Sequence, residues 1–359
     1  MSKKLKAGII GCGGIAEQKH LTAVLKINEA EVTALCDIMP QKAENLIKKF
    51  GLSGVKVYSD YKELLKDETI DVVHICTPNS SHCPITIASL EAGKHVMCEK
   101  PMAINFNEAK KMTETSRKTG RLLTIGYQYR CMPAPMYLKK ICKRGDLGEI
   151  YFAKAHAIRR RGVPTWGVFL KEKEQGGGPL IDIGTHALDM TLWMMDNYKP
   201  KSVTGNVYKK LGDNPDSGNI WGPWDTKEYT VEDSAFGFIT MENGATIILE
   251  ASWALNSLDT GEGICTLCGT KAGADMKDGL RINSSDLGKL TVTKPDLATG
   301  GVQYYSGSST EPKDIECRNW YDAILTGAEL LVKPEQAMVV TQILEGIYES
   351  GKTGKQIFF

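Results

Sequence analysis

One short segment limits this chain more than any other. The apolar run Leu5–Ile10 leads into Gly11-Cys12-Gly13-Gly14-Ile15-Ala16, after which the pattern turns helical. Strand, glycine turn and helix in that order, with the spacing G-x-G-x-x-A, suit a backbone that wraps a pyrophosphate. Gly11 permits the tight turn, Gly13 lets the main chain approach the phosphates, and Ala16 lets the helix pack closely on the strand. The N–H groups around Gly14 and Ile15 then face the ligand with the positive end of the helix dipole behind them. Asp37 ends the next apolar run, 21 residues beyond Ala16, where a carboxylate takes ribose hydroxyls. It would repel a 2′-phosphate, and Ile38 rather than an arginine follows it. The expected cofactor is therefore NAD in preference to NADP.

The rest of the first 127 residues repeats this rhythm. Apolar runs at Glu31–Cys36, Val55–Tyr58, Asp71–Thr77, His95–Glu99 and Leu122–Gly126 alternate with amphipathic stretches such as Gln41–Phe50, His82–Ala92 and Asn107–Thr119. Strands alternating with helices of this length predict a doubly wound parallel sheet over residues 1–127. The rhythm changes over residues 128–359. A helix near Ala134–Lys143 precedes long strand candidates at Glu149–Arg159, Ser202–Lys209, Ser234–Met241 and Ala245–Ala254, the last two joined by the hairpin signal Asn243-Gly244. The fold class expected is α/β: an N-terminal Rossmann domain plus a C-terminal α+β domain with a large, mostly antiparallel open sheet. The polar stretch Leu211–Glu232 has no period and reads as an excursion near a site or a subunit contact.

Composition closes off other classes. A net charge of +1 over 359 residues carries no basic surplus for nucleic acid or an anionic membrane. No run has the length of a membrane span, and the apolar stretch behind MSKKLK is too short for a signal peptide. Five of the ten cysteines, Cys36, Cys76, Cys98, Cys265 and Cys268, fall in apolar strand-like runs, which suits buried thiols in a reducing, cytoplasmic setting. Cys265 and Cys268 form a CxxC, but nothing nearby completes a zinc site, and no metal is expected.

Two further segments carry chemistry. Glu99-Lys100-Pro101 falls at the C-terminal end of a predicted strand, where ligands of open parallel sheets bind. A lysine there can exchange a proton with a substrate hydroxyl; the alternative is an ordinary surface lysine. Gly176-Gly177-Gly178-Pro179 leads into a helical stretch in which Asp182, His186 and Asp189 share one face. The carboxylate can orient the imidazole. The alternatives are a satisfied core histidine or part of a metal site. The triple glycine favours a functional reading, since it would admit a ligand close to the backbone.

Taken in order, G-C-G-G-I-A, E-K-P and G-G-G-P-L-I-D-I-G-T-H-A-L-D resemble the Gfo/Idh/MocA family of sugar and cyclitol dehydrogenases, and the likeness extends to P-E-Q-A-M-V-V-T-Q-I-L-E-G-I-Y near the C-terminus. The resemblance implies that Lys100 and His186 handle the hydroxyl proton and that Asp182 holds the substrate or the histidine. It implies that Thr77, Pro78, Asn79 and His82 border the nicotinamide ribose, beside Glu99 and Lys100. It also implies a homodimer or homotetramer. Tyr127, Arg130, Arg159, Arg161 and Trp166 are candidates for contacts to a small sugar or polyol, against the alternative of packing or salt bridges. Strand alternation sends Arg160 to the face opposite Arg159 and Arg161. Two other functions stand beside net dehydrogenation: a glycosidase or epimerase that recycles tightly bound NAD through transient oxidation, and a non-catalytic NAD/sugar sensor.

Overall fold

The structure is a computed structural model, and it describes residues 4–214, 218–297 and 311–359. The chain forms two compact units, Met1–Gln128 with Ser309–Met338 and Tyr129–Ser308 with Val339–Phe359.

In the first unit, strands β1 (Leu5–Ile10), β2 (Ala30–Cys36), β3 (Lys56–Tyr58), β4 (Val72–Ile75), β5 (His95–Cys98) and β6 (Leu123–Ile125) form one sheet in the order β3-β2-β1-β4-β5-β6. Every pairing is parallel. This is the doubly wound order, whose direction reverses between β1 and β4 and so opens a crevice at their C-terminal ends. The central strands are apolar on both faces, as a sheet covered on both sides requires: Val72, Val73 and Ile75 of β4 are fully buried. Helices α1 (Pro40–Phe50), α2 (His82–Glu91) and α3 (Phe106–Thr119) supply crossovers. α1 starts on a proline and stops at Gly51 in the left-handed region. The Asn105 side chain caps α3 by accepting from Glu108 N–H at 2.9 Å. Helix α6 (Pro312–Thr326), numbered after α4 (Pro133–Arg144) and α5 (Thr185–Met195), returns to this unit. Its Cys317, Trp320 and Tyr321 join the core around Ile9, Leu21 and Leu35.

The second unit holds a nine-stranded sheet. β7 (Ile150–Ile158), β8 (Pro200–Tyr208), β9 (Ser234–Met241), β10 (Thr246–Ser252), β11 (Gly261–Gly269), β12 (Gly273–Asp275), β13 (Arg281–Asp286), β14 (Lys289–Thr293) and β15 (Ile357–Phe358) run in the order β14-β13-β12-β11-β7-β10-β9-β8-β15. Among the described residues of this sheet, β7 and β10 alone pair in parallel; the other pairings are antiparallel. The β9–β10 hairpin turns at Gly244, whose φ of 87° no β-branched residue would adopt readily. Buried residues of β7 and β11, including Ala155 and Cys265, line the face that α5 covers, and β10 packs on the turn before it.

Helix α5 does not begin as an ordinary helix. Leu180–Gly184 is a π-helical turn that continues into α5. The wider turn alters the spacing on which a shared face for Asp182, His186 and Asp189 depended. The triple glycine also has a different role from the one expected. A Cβ on Gly177 would meet the Tyr348 hydroxyl at 2.0 Å, and one on Gly178 would meet the Glu232 carbonyl at 2.4 Å. These glycines serve internal packing. The buried Glu232 carboxylate accepts from Gly178 N–H (2.8 Å), Leu180 N–H (3.1 Å) and Tyr348 O–H (2.8 Å). It satisfies N–H groups that the helix start would otherwise leave without acceptors.

Candidate active site

The dinucleotide half is assembled at the ends of β1, β4 and β5. Gly11 has φ of 90°, and a Cβ there would sit 2.6 Å from the Cys76 carbonyl oxygen, so only glycine passes this close to the end of β4. Gly13 and Gly14 differ: nothing lies within 4 Å of a Cβ at either. Their lack of side chain serves no internal packing and leaves space at the mouth of the turn. Ala16 is fully buried, whereas Ile15 is exposed. The Asp37 carboxylate accepts from Cys12 N–H at 2.8 Å and from Met39 N–H at 2.9 Å, which ties the glycine turn to the end of β2. Each carboxylate oxygen retains further acceptor capacity. Ile38 is 89% exposed beside it, an apolar surface suited to an adenine ring. A glycine turn with open space, a fixed carboxylate and an apolar shelf fit a nicotinamide dinucleotide.

At the end of β4, Thr77 and Pro78 precede Asn79, which begins a 3-10 turn leading to His82. The buried His82 ring places its nitrogens 2.8 Å from the Pro101 carbonyl and 3.0 Å from that of Thr77. This ring ties the loop after β4 to the residue following Lys100. The Lys100–Pro101 peptide bond is cis.

Beneath Lys100 lies a buried polar network that sequence reading missed. The Lys100 N–H donates to Glu99 Oε2 at 3.2 Å. Glu99 Oε1 meets Lys19 Nζ at 2.5 Å and His20 Nε2 at 2.8 Å, and Lys19 also reaches Glu316 at 2.9 Å. His20 Nδ1 lies 2.9 Å from His74 Nδ1, and His74 Nε2 lies 3.2 Å from the Tyr321 hydroxyl. One assignment satisfies every member with both imidazoles neutral: Tyr321 O–H donates to His74, His74 Nδ1–H donates to His20, and His20 Nε2–H donates to Glu99. Burial pushes the Glu99 carboxyl upward, but Lys19 and His20 outweigh it and hold the group well below the ordinary carboxylate range. Burial holds His20 and His74 below the ordinary imidazole range. Glu99 is thus a fixed carboxylate that anchors the backbone carrying Lys100. The available signal was Lys19-His20, two polar residues in the π-helical segment Ala16–Leu21 that follows β1.

The second unit carries the other residues expected to act. His186 is buried in the first turn of α5, and its ring stacks on Tyr129 with centroids 4.3 Å apart and planes 14° from parallel. Asp182 Oδ2 accepts from Trp253 Nε1 at 3.1 Å. A bulge in β11 opposite β7, between Gly261 and Ile264, provides two further parts. Glu262 forms a two-pronged pair with Arg159, at 2.6 and 2.8 Å. Gly263, at φ of 63°, leaves room for the Tyr129 ring. Burial works against the Arg159 charge, but Glu262 and the Asp182 carboxylate outweigh it and raise the guanidinium above its usual range. A Gly-x-Gly inside a strand signals such a bulge.

Two expectations about sugar contacts are corrected. Tyr127 is fully buried, and Tyr129 is the tyrosine beside His186. Arg130 is also fully buried; its Nε and Nη2 donate to Asp189 at 2.9 and 2.6 Å, so both Arg130 and Asp189 serve the core. Strand alternation likewise failed for Arg160. β7 ends at Ile158, and Arg159, Arg160 and Arg161 line one cavity. Of the excursion, in which residues 215–217 lie outside the described residues, Asn219 and Trp221 are pinned beside this region: Asn219 exchanges hydrogen bonds with the Val163 backbone, both 2.9 Å, and Thr165 donates to the Trp221 carbonyl at 2.9 Å. Trp166 is half exposed and packs edge-to-face on Trp221.

Fold and residues together define a dinucleotide-dependent oxidoreductase. Residues 5–127 match the model described as oxidoreductase family, NAD-binding Rossmann fold, and residues 136–275 match the GFO/IDH/MocA C-terminal domain. D-Glucoside 3-dehydrogenase of Escherichia coli (strain K12) is 34% identical over 356 residues, covering 99% of this chain and 98% of that protein. Glucose-6-phosphate 3-dehydrogenase of Bacillus subtilis (strain 168) is 33% identical over 214 residues, 58% of each chain. Levoglucosan dehydrogenase, solved in complex with NADH and levoglucosan, shares the fold with a TM-score of 0.82 at 22% identity, over 99% of each chain. The chain belongs to the Gfo/Idh/MocA family and is an oxidoreductase. Among the described residues, no helix is long and apolar enough to cross a membrane.

Proposed function

We propose that this protein is an NAD-dependent dehydrogenase acting on a carbinol carbon of a sugar, glycoside or cyclitol. The observation that carries the reading is that Glu99, Lys19 and His20 form a rigid base for Lys100, while the second unit holds Asp182 and His186 in place through Trp253 and Tyr129. The relatives named as glucoside and glucose-6-phosphate dehydrogenases support the substrate class.

Gly11, Gly13, Gly14, Ile15, Ala16 and Asp37 hold the adenosine and pyrophosphate, and Thr77, Pro78, Asn79, His82, Glu99 and Lys100 border the nicotinamide half. NAD, when bound, supplies the hydride acceptor. The single proton of the substrate hydroxyl passes to one of Lys100 and His186, the other holding the oxygen by a hydrogen bond, as the carbinol C–H bond breaks, and it returns in the reverse direction. Asp182 holds a neighbouring hydroxyl or orients the histidine, and Arg159, Arg161 and Trp166 contact the rest of the sugar. Asp37 beside the apolar Ile38 favours NAD over NADP. The ten free thiols suit the cytoplasm, and a homodimer or homotetramer is the expected assembly.

Lys100→Ala tests the reading. Turnover falls at least ~10²-fold, while NAD binding measured by titration is retained. Unchanged turnover overturns the assignment.

A further inference from the structure

We propose that Trp221, Trp166 and Arg159 form a subsite for a second ring, so that the substrate is a glycoside rather than a free monosaccharide or cyclitol. The inference rests on the assignment of Asp182 and His186 to the reacting sugar.

A cavity of about 580 Å³, within the range of ~300–1,000 Å³ that small-molecule sites occupy, is lined by Arg159, Arg160, Arg161, Ile220, Thr260 and Glu262 and adjoins the Trp221 indole through Arg159. The Arg159 guanidinium lies 5.0 Å from the Trp221 ring centroid. That guanidinium is held on its other edges by Glu262 and by the Gly162 carbonyl at 3.0 Å. Trp166 meets Trp221 edge-to-face at 5.0 Å. Trp166 and Trp221 are 51% and 40% exposed, so two large apolar rings are rigidly held and yet open to solvent. A preformed aromatic surface loses little entropy on binding, and its faces suit the C–H faces of a sugar ring.

The cavity also supplies what the hydroxyls of such a ring require. The Arg160 guanidinium and Thr260 hydroxyl donate, and the Glu262 carboxylate accepts. Pairing of Arg159 with Glu262 cancels part of the charge.

A chain of aromatic contacts, exposed at Trp221 and Trp166 and buried at Trp253, leads to Asp182. Trp166 contacts Phe169 at 5.9 Å, Phe169 contacts Trp253 at 6.3 Å, and the Trp253 N–H holds Asp182. With Trp166 and Arg159 at the edge of the reacting sugar, the exposed Trp221 indole is left for a linked second ring to cover.

The test compares gluco-, galacto- and manno-configured disaccharides with their parent monosaccharides. Two readouts serve: NADH formation, and equilibrium binding in the presence of NADH. The wild type favours one disaccharide at least about tenfold in both. Trp221→Ala removes that preference by raising KM about tenfold without changing kcat, leaves monosaccharide constants unaltered, and is rescued by Trp221→Phe. Equal losses on both sugar classes, or a wild-type preference for monosaccharides, overturn the subsite alone. A fall in oligomeric mass with unmoved sugar constants also overturns it and assigns the indoles to a subunit contact. Failure of every carbohydrate to bind or react overturns the functional reading as well.

Discussion

The His186 imidazole lies nearly parallel to the Tyr129 phenol ring, 4.3 Å away, and Tyr129 in turn rests over Gly263. A Cβ on Gly263 would come within 2.5 Å of Tyr129 Cε2, and the φ of 63° already disfavours any other residue. Gly263→Ala therefore shifts Tyr129 and, with it, the stacked imidazole. Turnover falls on the order of 10²-fold, the usual consequence of displacing a reacting group by about 1 Å, while the affinity for NAD is unchanged. Steady-state kinetics beside a cofactor titration separates the two. A variant with normal turnover contradicts the role given to His186.

Asp37 links cofactor choice to the architecture of the glycine turn. Its two carboxylate oxygens hold the N–H groups of Cys12 and Met39, and charged hydrogen bonds of this kind contribute about 1.5–3 kcal/mol each. Asp37→Ala weakens NAD binding roughly 10- to 100-fold and narrows discrimination against NADP. A wild-type protein that prefers NADP contradicts the cofactor assignment.

Much of this was legible beforehand, for reasons that differ by element. The strand–glycine–helix run at residues 5–16 is local, so its chemistry can be read directly. Alternating apolar runs likewise marked β1, β2, β4 and β5. Long-range features were not legible. The return of Trp320 and Tyr321 to the first core, the Lys19–Glu99–Glu316 cluster and the stacking of Tyr129 on His186 join residues far apart in sequence. Periodicity failed at irregular backbone. The π turn at Leu180–Gly184 altered the spacing around Asp182, and the end of β7 at Ile158 released Arg160 from alternation.

The buried histidines make the first unit sensitive to acid. Burial keeps the folded-state pKa of His20 and His74 below the ordinary imidazole value, so the unfolded chain binds protons that the folded chain refuses. Their stabilising contribution is present above about pH 6.5 and is lost as pH falls below it, with a slope of up to about 1.4 kcal/mol per pH unit for each histidine. The depressed Glu99 carboxyl adds a second loss at lower pH, below the ordinary glutamate range near about 4.3. Hydrogen exchange of β4 and β5 amides should quicken, after correction for intrinsic rates, between about pH 6.5 and 5. His74→Gln should lower protection at neutral pH and flatten this dependence. Constant protection across the window would show that these imidazoles are charged in the folded state.

The most direct test of hydride transfer is absorbance at the NADH wavelength, with purified protein, NAD and a panel of monosaccharides, glycosides and inositols. NADH accumulates with one class of polyol, and Lys100→Ala abolishes the signal without releasing the cofactor. No NADH with any substrate, together with hydrolysed or epimerised product from protein that retains NAD, contradicts net dehydrogenation and identifies an internal redox cycle.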